Sequence, residues 1–363
     1  MKLGFGLYRH HLTPSNYQFA RQAGATHLVV HLVDYFRSAP EGARADQPTG
    51  GNNGWGHAGA PGEGVWTREQ LAALRRDVND AGLELHAIEN LDPGVWHDIL
   101  LDGPRRAEQI GHVQTIIRNM GAVGIPVLGY YFSLAGVAGR TRGRYARGNA
   151  EAVGMEGAVD QRPLPHGMVW NMVYDTAAPA GTLTAPTEDE LWARRRRFLE
   201  EVLPVAEECG VILAAHPDDP PLPRIRETPR LVHREANYDR FAREPVSPAN
   251  KLEFCCGTLA EMPGCDVYAM LEKHSAAGNL GYVHFRNVRG KAPEYKESFL
   301  DDGDIDMMRL MEILHRTNYQ GVVIPDHAPL LQCDAPWHAG MAWAMGYIRA
   351  GMMALARRGT ATS

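Results

Sequence analysis

Long apolar runs, an excess of basic charge and paired cysteines are what this sequence lacks, and each absence removes a class of function. No stretch approaches the roughly 18 or more apolar residues of a membrane span, and the start MKLGFGLYRHH carries no apolar segment of signal-peptide length. A cytoplasmic protein with no membrane partner is the expectation. Lys and Arg number 37 against 43 Asp and Glu, a formal net charge of -6, so the surface has no surplus of cations to neutralise phosphates. Nucleic acid is therefore not expected as a partner, and a small molecule is. Five cysteines in 363 residues are an odd count in a long chain, unlike a small secreted disulfide framework. Free thiols or a thiolate ligand are the better readings.

What is present suits one large folded domain. The hydrophobic share is 44% against 22% charged residues, enough to bury a sizeable core. Short apolar runs alternate with amphipathic helical stretches, the pattern of βα units and a parallel sheet. Strands are predicted at Leu3–Leu7, His27–Leu32, Glu84–Ile88, Val127–Tyr131, Val211–Ala215, Lys251–Phe254, Tyr282–His284 and Val322–Pro325. Eight such units predict an α/β fold, a single (β/α)8 TIM barrel spanning residues 1–363. Thr67 with Gln70, and Thr187 with Glu190, read as capping boxes at helix starts, and Gly210 reads as a helix stop. The run Arg194 to Arg197 lies in a Glu-rich helical pattern and is read as a solvated face making i,i+4 pairs. Residues 38–65 and 134–186 exceed the compact repeat; they are loop insertions expected on the C-terminal face of the barrel, as lids or as contacts in a homo-oligomer.

The last four strands each end in a residue able to bind a metal: His216 in AAHPDDPP, Cys255 in LEFCCGT, His284 in YVHFRN and Asp326 in VIPDH. A barrel gathers its strand ends around one mouth, so these four can converge on one ion despite their separation in sequence. Two imidazoles, a thiolate and a carboxylate suit a borderline divalent cation, and on ligand chemistry alone Zn2+, Fe2+, Co2+ or Ni2+ would serve. Cys256 adjoins Cys255, and strand alternation points only one of them inward. Around these lie Asp218 and Asp219, Arg286 as a bidentate clamp for a substrate carboxylate, and Asn287 as a partner for hydroxyls. His327 beside Asp326 is read as a proton-transfer group. Arg9 and Glu89 follow the first and third strands and are candidate substrate contacts, and Tyr131 ends the fourth.

With HPDDPP, FCCGT followed by AEM, VHFRNVRG, the acidic DDGDIDM segment and PDH in this order, and with ARQAGATHLVVHL near the start, the chain resembles the mannonate dehydratases. These are sugar-acid lyases with a xylose-isomerase-like barrel. The resemblance implies Mn2+-dependent removal of water from D-mannonate to give 2-keto-3-deoxy-D-gluconate, a step of hexuronate breakdown. By matching motifs it places the metal ligands on His216, Cys255, His284 and Asp326 and the catalytic histidine on His327, expected as the acid. One departure stands out. The family typically carries a catalytic tyrosine shortly after PDH, whereas this chain has Trp337-His338 there and no tyrosine before Tyr347. The partner of His327 is thus open among His338, Tyr131 and a metal-bound water. An isomerase or epimerase acting on a sugar or sugar acid at the same site, and a sugar-acid binding protein without turnover, are the alternatives.

Overall fold

Residues 1–38, 46–49, 54–157 and 162–360 are described by the computed structural model. At their centre, strands Lys2–Leu7, His27–His31, Glu84–Glu89, Val127–Tyr130, Ile212–Ala215, Asn250–Cys255, Leu280–His284 and Val322–Ile324 close into a barrel. Every pairing is parallel, neighbours follow chain order, and the ring closes where Lys2 faces Val322. All eight predicted strands are present with ends shifted by at most two residues.

Alternation along each strand sorts side chains into two environments. Val29, Ala87, Val127, Ala214, Tyr282, Val322 and Ile324 fill the barrel interior. Leu28, Val30, Ile88, Leu128, Leu213, Phe254 and Val283 point outward into the core shared with the helices, each contributing about 1.5–3 kcal/mol through burial. Both predicted capping boxes form: Thr67 and Thr187 accept from the backbone of Gln70 and Glu190, whose side chains return the bond. Gly210 ends the helix Glu188–Cys209 at φ 66°, a left-handed turn that glycine adopts without strain.

The arginine run differs from its sequence reading. Arg195 is buried, donating to the carbonyls of Glu244 and Phe241 and to the Tyr130 hydroxyl, and it stacks over the Phe241 ring. Arg194 donates to the Leu100 carbonyl, Arg196 meets Glu244 and Arg197 meets Asp102. The run bolts its helix to neighbouring elements instead of forming pairs along its own face.

Both long segments lie at the barrel mouth. Residues 39–45 and 50–53 of the first, and 158–161 of the second, lie outside the described residues. Gly56–His57 pairs with Met172–Val173, tying the two segments together. The hairpin of Thr141–Ala146 and Ala150–Glu156 joins that of Asn287–Lys291 and Glu294–Ser298 in a four-stranded antiparallel sheet. No helix among the described residues is long and apolar enough to cross a membrane.

Gly129 faces the barrel interior, where a Cβ would meet the Tyr282 hydroxyl, a carboxylate oxygen of Glu253 and the side-chain methylene of Glu89. Gly129→Ala should therefore lower unfolding stability by about 1–3 kcal/mol, the usual cost of overpacking a filled interior. Urea denaturation measures it.

Candidate active site and metal centre

Continuing the inward alternation by one more position beyond the apolar layer gives one residue per strand: Tyr8, His31, Glu89, Tyr131, His216, Cys255, His284 and Asp326. Seven of these line one cavity of about 60 Å³, and the eighth, Cys255, is buried beneath it. His327, Asp219 and Asn90 complete the polar wall, Tyr35 follows the second strand, and Pro48, Trp55, Val137, Arg140 and Trp170 come from the long segments above.

His216, Cys255 and His284 offer ligand atoms that lie within 4.8 Å of one another. His216 Nδ1 bonds the Pro217 carbonyl at 2.6 Å, which leaves Nε2 for the centre. His284 Nδ1 is buried without a hydrogen bond and lies 3.5 Å from Asp326 Oδ2. An orphaned buried nitrogen facing a carboxylate, beside a thiol and a second imidazole, fits a divalent cation better than an empty polar gap. The electrostatics agree. Burial alone would raise the Cys255 thiol, but Arg286, His216 and His284 outweigh it and bring it down to about 5, so the sulfur is a thiolate at neutral pH. Burial disfavours charge on His216, yet Glu253 and Cys255 overcome it and raise the ring to about 9. Asp326 is held well below the usual carboxylate range, against its burial, by His327, His284 and Arg286. Cys256 takes no part: it starts the next helix and packs in the outer core, where burial pushes its thiol up.

His327 is fixed through Nδ1, 3.1 Å from Glu297 Oε1, while Nε2 stands 3.1 Å from Asp326 Oδ1. Tyr131 reaches the cavity, but its hydroxyl is committed, donating to Asp218 at 3.0 Å and accepting from the Asp219 amide. His338 is not in the cavity wall. It sits on the last helix, 3.0 Å from Asn16 Oδ1 and edge-on to Phe19.

Several expected substrate contacts are structural instead. The Arg286 guanidinium, 1% exposed, meets Glu297, Asp219, Thr258 and Glu261 at 2.7–3.1 Å, so it neutralises carboxylates beneath the site and does not line the cavity. Asn287 donates to the carbonyls of Leu300 and Ile305 and accepts from the amides of Val288 and Ile305, bracketing a loop. Asp218 is buried between Tyr131, the Val232 amide and Arg230. Arg9 is exposed and donates to the Leu32 carbonyl. Asp219 and Glu89 do line the cavity. Asp219 is held low, against its burial, by Arg286 and Arg140, and Glu89, also against its burial, is pulled down to about 2 by His31 and His284.

Two groups escaped the sequence reading. Arg140, 5% exposed, lines the cavity 3.6 Å from Asp219 and 3.5 Å from Glu297 and makes no hydrogen bond among the described residues; it lies in a segment whose course no periodicity reveals. Glu253, fully buried, stands 3.0 Å from His284 Nε2, and burial together with Glu89 pushes its carboxyl up to about 8. Its signal was available: two residues before Cys255 in a strand means the same face.

Arg286→Met should cost about 3–5 kcal/mol, because it removes the guanidinium on which Asp219, Glu261 and Glu297 converge, leaving Glu261 with no cation beside it among the described residues and the other two with only Arg140 and His327. Thermal and urea melts read the loss, and a change under about 1 kcal/mol would refute this role.

The family profile described as D-mannonate dehydratase (UxuA) matches residues 1–153 and 183–357. Mannonate dehydratase of Streptococcus pneumoniae (strain 70585) is 32% identical over 280 residues, covering 72% of this chain and 74% of that protein. The Geobacillus thermodenitrificans enzyme of the same name is 30% identical over 290 residues, covering 74% and 76%. The crystal structure of mannonate dehydratase from Streptococcus suis serotype 2 aligns with a TM-score of 0.77 at 26% identity, over 99% of this chain and 95% of that one. An L-ribulose 3-epimerase structure, TM-score 0.56 at 16% identity over 100% and 98%, shares the fold. Through the profile match and these relatives, the chain belongs to the D-mannonate dehydratase family.

Proposed function

We propose that this protein removes water from D-mannonate to give 2-keto-3-deoxy-D-gluconate, with Mn2+ held by His216, Cys255, His284 and Asp326. The observation that carries the reading is one cavity in which that donor set, a fixed imidazole and a cation with unused donors meet. Family membership supports the substrate, and Mn2+ is what the sequence resemblance implies. A small sugar acid as partner and a cytoplasmic location belong to the same reading.

The chemistry asks for four things. The substrate carboxylate must be held, the C2 proton made acidic, that proton removed, and the departing C3 hydroxyl protonated. Arg140 can grip a carboxylate or hydroxyls, since its guanidinium faces the cavity with free N–H groups. A divalent cation bound by the four donors would supply Lewis acidity toward the carboxylate and its neighbouring hydroxyl. His327, steered by Glu297 through Nδ1, presents Nε2 for proton exchange.

The second proton-transfer group follows by elimination among the pocket hydroxyls. Tyr131 is committed to Asp218, and Tyr35 is bonded to Asn90 and His31. Tyr8 lines the cavity, is stacked on His31 at 4.4 Å, and makes no hydrogen bond through its hydroxyl among the described residues. A phenol is protonated at neutral pH, so Tyr8 suits the acid for the leaving hydroxyl, which moves His327 from acid to base. This supplies what the missing tyrosine after PDH would have provided. As the C2–H bond breaks, its electrons form the C2–C3 double bond, the C3–O bond breaks, and the resulting enol becomes the 2-keto acid. Trp170, in the stretch between the two matched parts of the family profile, adds an aromatic wall to the cavity.

Protein supplied with Mn2+ and D-mannonate should give a keto-deoxy acid detectable with semicarbazide. His327→Asn and Tyr8→Phe should each lower kcat by about 10²–10⁴-fold while Mn2+ still binds. A product of unchanged mass would mean isomerisation or epimerisation instead. No product from any aldonic acid, with tight binding seen by calorimetry, would mean a binding protein.

A further inference from the structure

Behind the reacting cavity the barrel mouth holds a second, more enclosed chamber. Its volume is about 10 Å³, the room that one water molecule needs. It shares the side chains of Tyr8, His31, Glu89, Asp326 and His327 with the cavity in front. On the far side its wall includes Asp46 and Trp337, and these two residues also line an outer pocket of about 360 Å³, whose rim carries the exposed Glu151 and Pro336. The three spaces thus follow one another from the site toward solvent.

Asp46 stands where chamber and outer pocket meet. Its Oδ1 accepts from Arg142 Nη2 at 2.6 Å, and Arg142 also reaches Glu151 at 3.3 Å, so the carboxylate is pinned between the two long segments. Its Oδ2 makes no hydrogen bond among the described residues. Trp337 is committed to packing, with its ring against Phe5 and His11. Of the other acids in the chamber wall, Glu89 is bonded to His284 and Asp326 belongs to the proposed ligand set. Among the described residues Asp46 is therefore the one carboxylate that borders both the chamber and the outer pocket.

We propose that Asp46 positions the proton supply of Tyr8: through one water in the chamber it hands a solvent proton to the phenolate that each turnover leaves behind. The inference rests on the reading of Tyr8 as the acid. In giving its proton to the departing C3 oxygen, Tyr8 breaks its O–H bond and becomes a phenolate beside the carboxylates of Glu89 and Asp326, a repulsive arrangement that has to be discharged before the next substrate reacts. Product then fills the front cavity, whereas the rear chamber stays open to the same hydroxyl. Asp46 takes a proton from solvent, the water accepts it while passing one of its own to Tyr8, a new O–H bond forms on the phenol, and the carboxylate is restored. Solvent receives the C2 proton in exchange, so none is consumed.

Asp46→Asn keeps an acceptor for Arg142 but carries no proton. In rapid-quench kinetics with D-mannonate and Mn2+, its first turnover should match wild type, because Tyr8 starts protonated, and later turnovers should slow by about 10²-fold. A small buffer acid such as imidazolium should restore them in proportion to its concentration, and Asp46→Glu should keep most of the wild-type turnover; thermal melts check folding. A high-resolution crystal structure should show one water within hydrogen-bond reach of Tyr8 Oη and Asp46. Unaltered turnover in Asp46→Asn, equal slowing of its first and later turnovers, or a chamber without water would overturn the inference and leave the dehydratase reading standing. Wild-type protein that makes no product would overturn both.

Discussion

A concentration of acidic groups at one end of a barrel is tolerable only if a fixed cation lies among them. Here that cation is Arg286. Asp219, Glu261 and Glu297 are each at most 4% exposed and each touches its guanidinium. A buried ion pair repays the desolvation of its members only when the geometry is good and the remaining donors are used, and the fork of Arg286 spends Nη1 and Nη2 on oxygen acceptors. The chemistry above depends on it. Arg286 is the leading counter-charge to the Cys255 thiolate, it helps hold Asp326 ionised, and it fixes Glu297, which in turn steers His327.

Preorganisation continues in layers. The apolar interior supports a stratum of Tyr282, Glu253 and Glu89, which touches the imidazole of His284, which presents its free nitrogen beside Asp326. Each layer fixes the next through hydrogen bonds made where water does not compete, and there an interaction is stronger than at the surface. Above, the long segments deliver Arg140, Trp55 and Trp170. The rigid ring thus supplies the reacting groups, and the irregular chain supplies the surfaces that choose among substrates.

The barrel was legible in the sequence because its signals are local. Alternation, capping boxes at Thr67 and Thr187, and a glycine stop at Gly210 are each set by residues within a few positions of one another. Convergence of His216, Cys255, His284 and Asp326 follows from topology once eight strands are counted. The motif match favours Cys255 over Cys256, since alternation alone says only that one of the two points inward; the phase seen in the structure agrees, and it also marks Glu253 and Tyr8.

What the sequence by itself determined is therefore the ring and the identity of the residues at its mouth. What only the tertiary structure decided is which polar groups are free to act. Arg286 and Asn287 follow His284 as Arg140 follows the fourth strand, and nothing local distinguishes a guanidinium already saturated by carboxylates from one facing an open cavity. His338 and Tyr8 are equally plausible as proton donors on paper; one is bonded to Asn16 on the outer helix and the other looks into the site. The physical reason is that availability is a property of partners, and the partners of these groups come from up to 322 positions away.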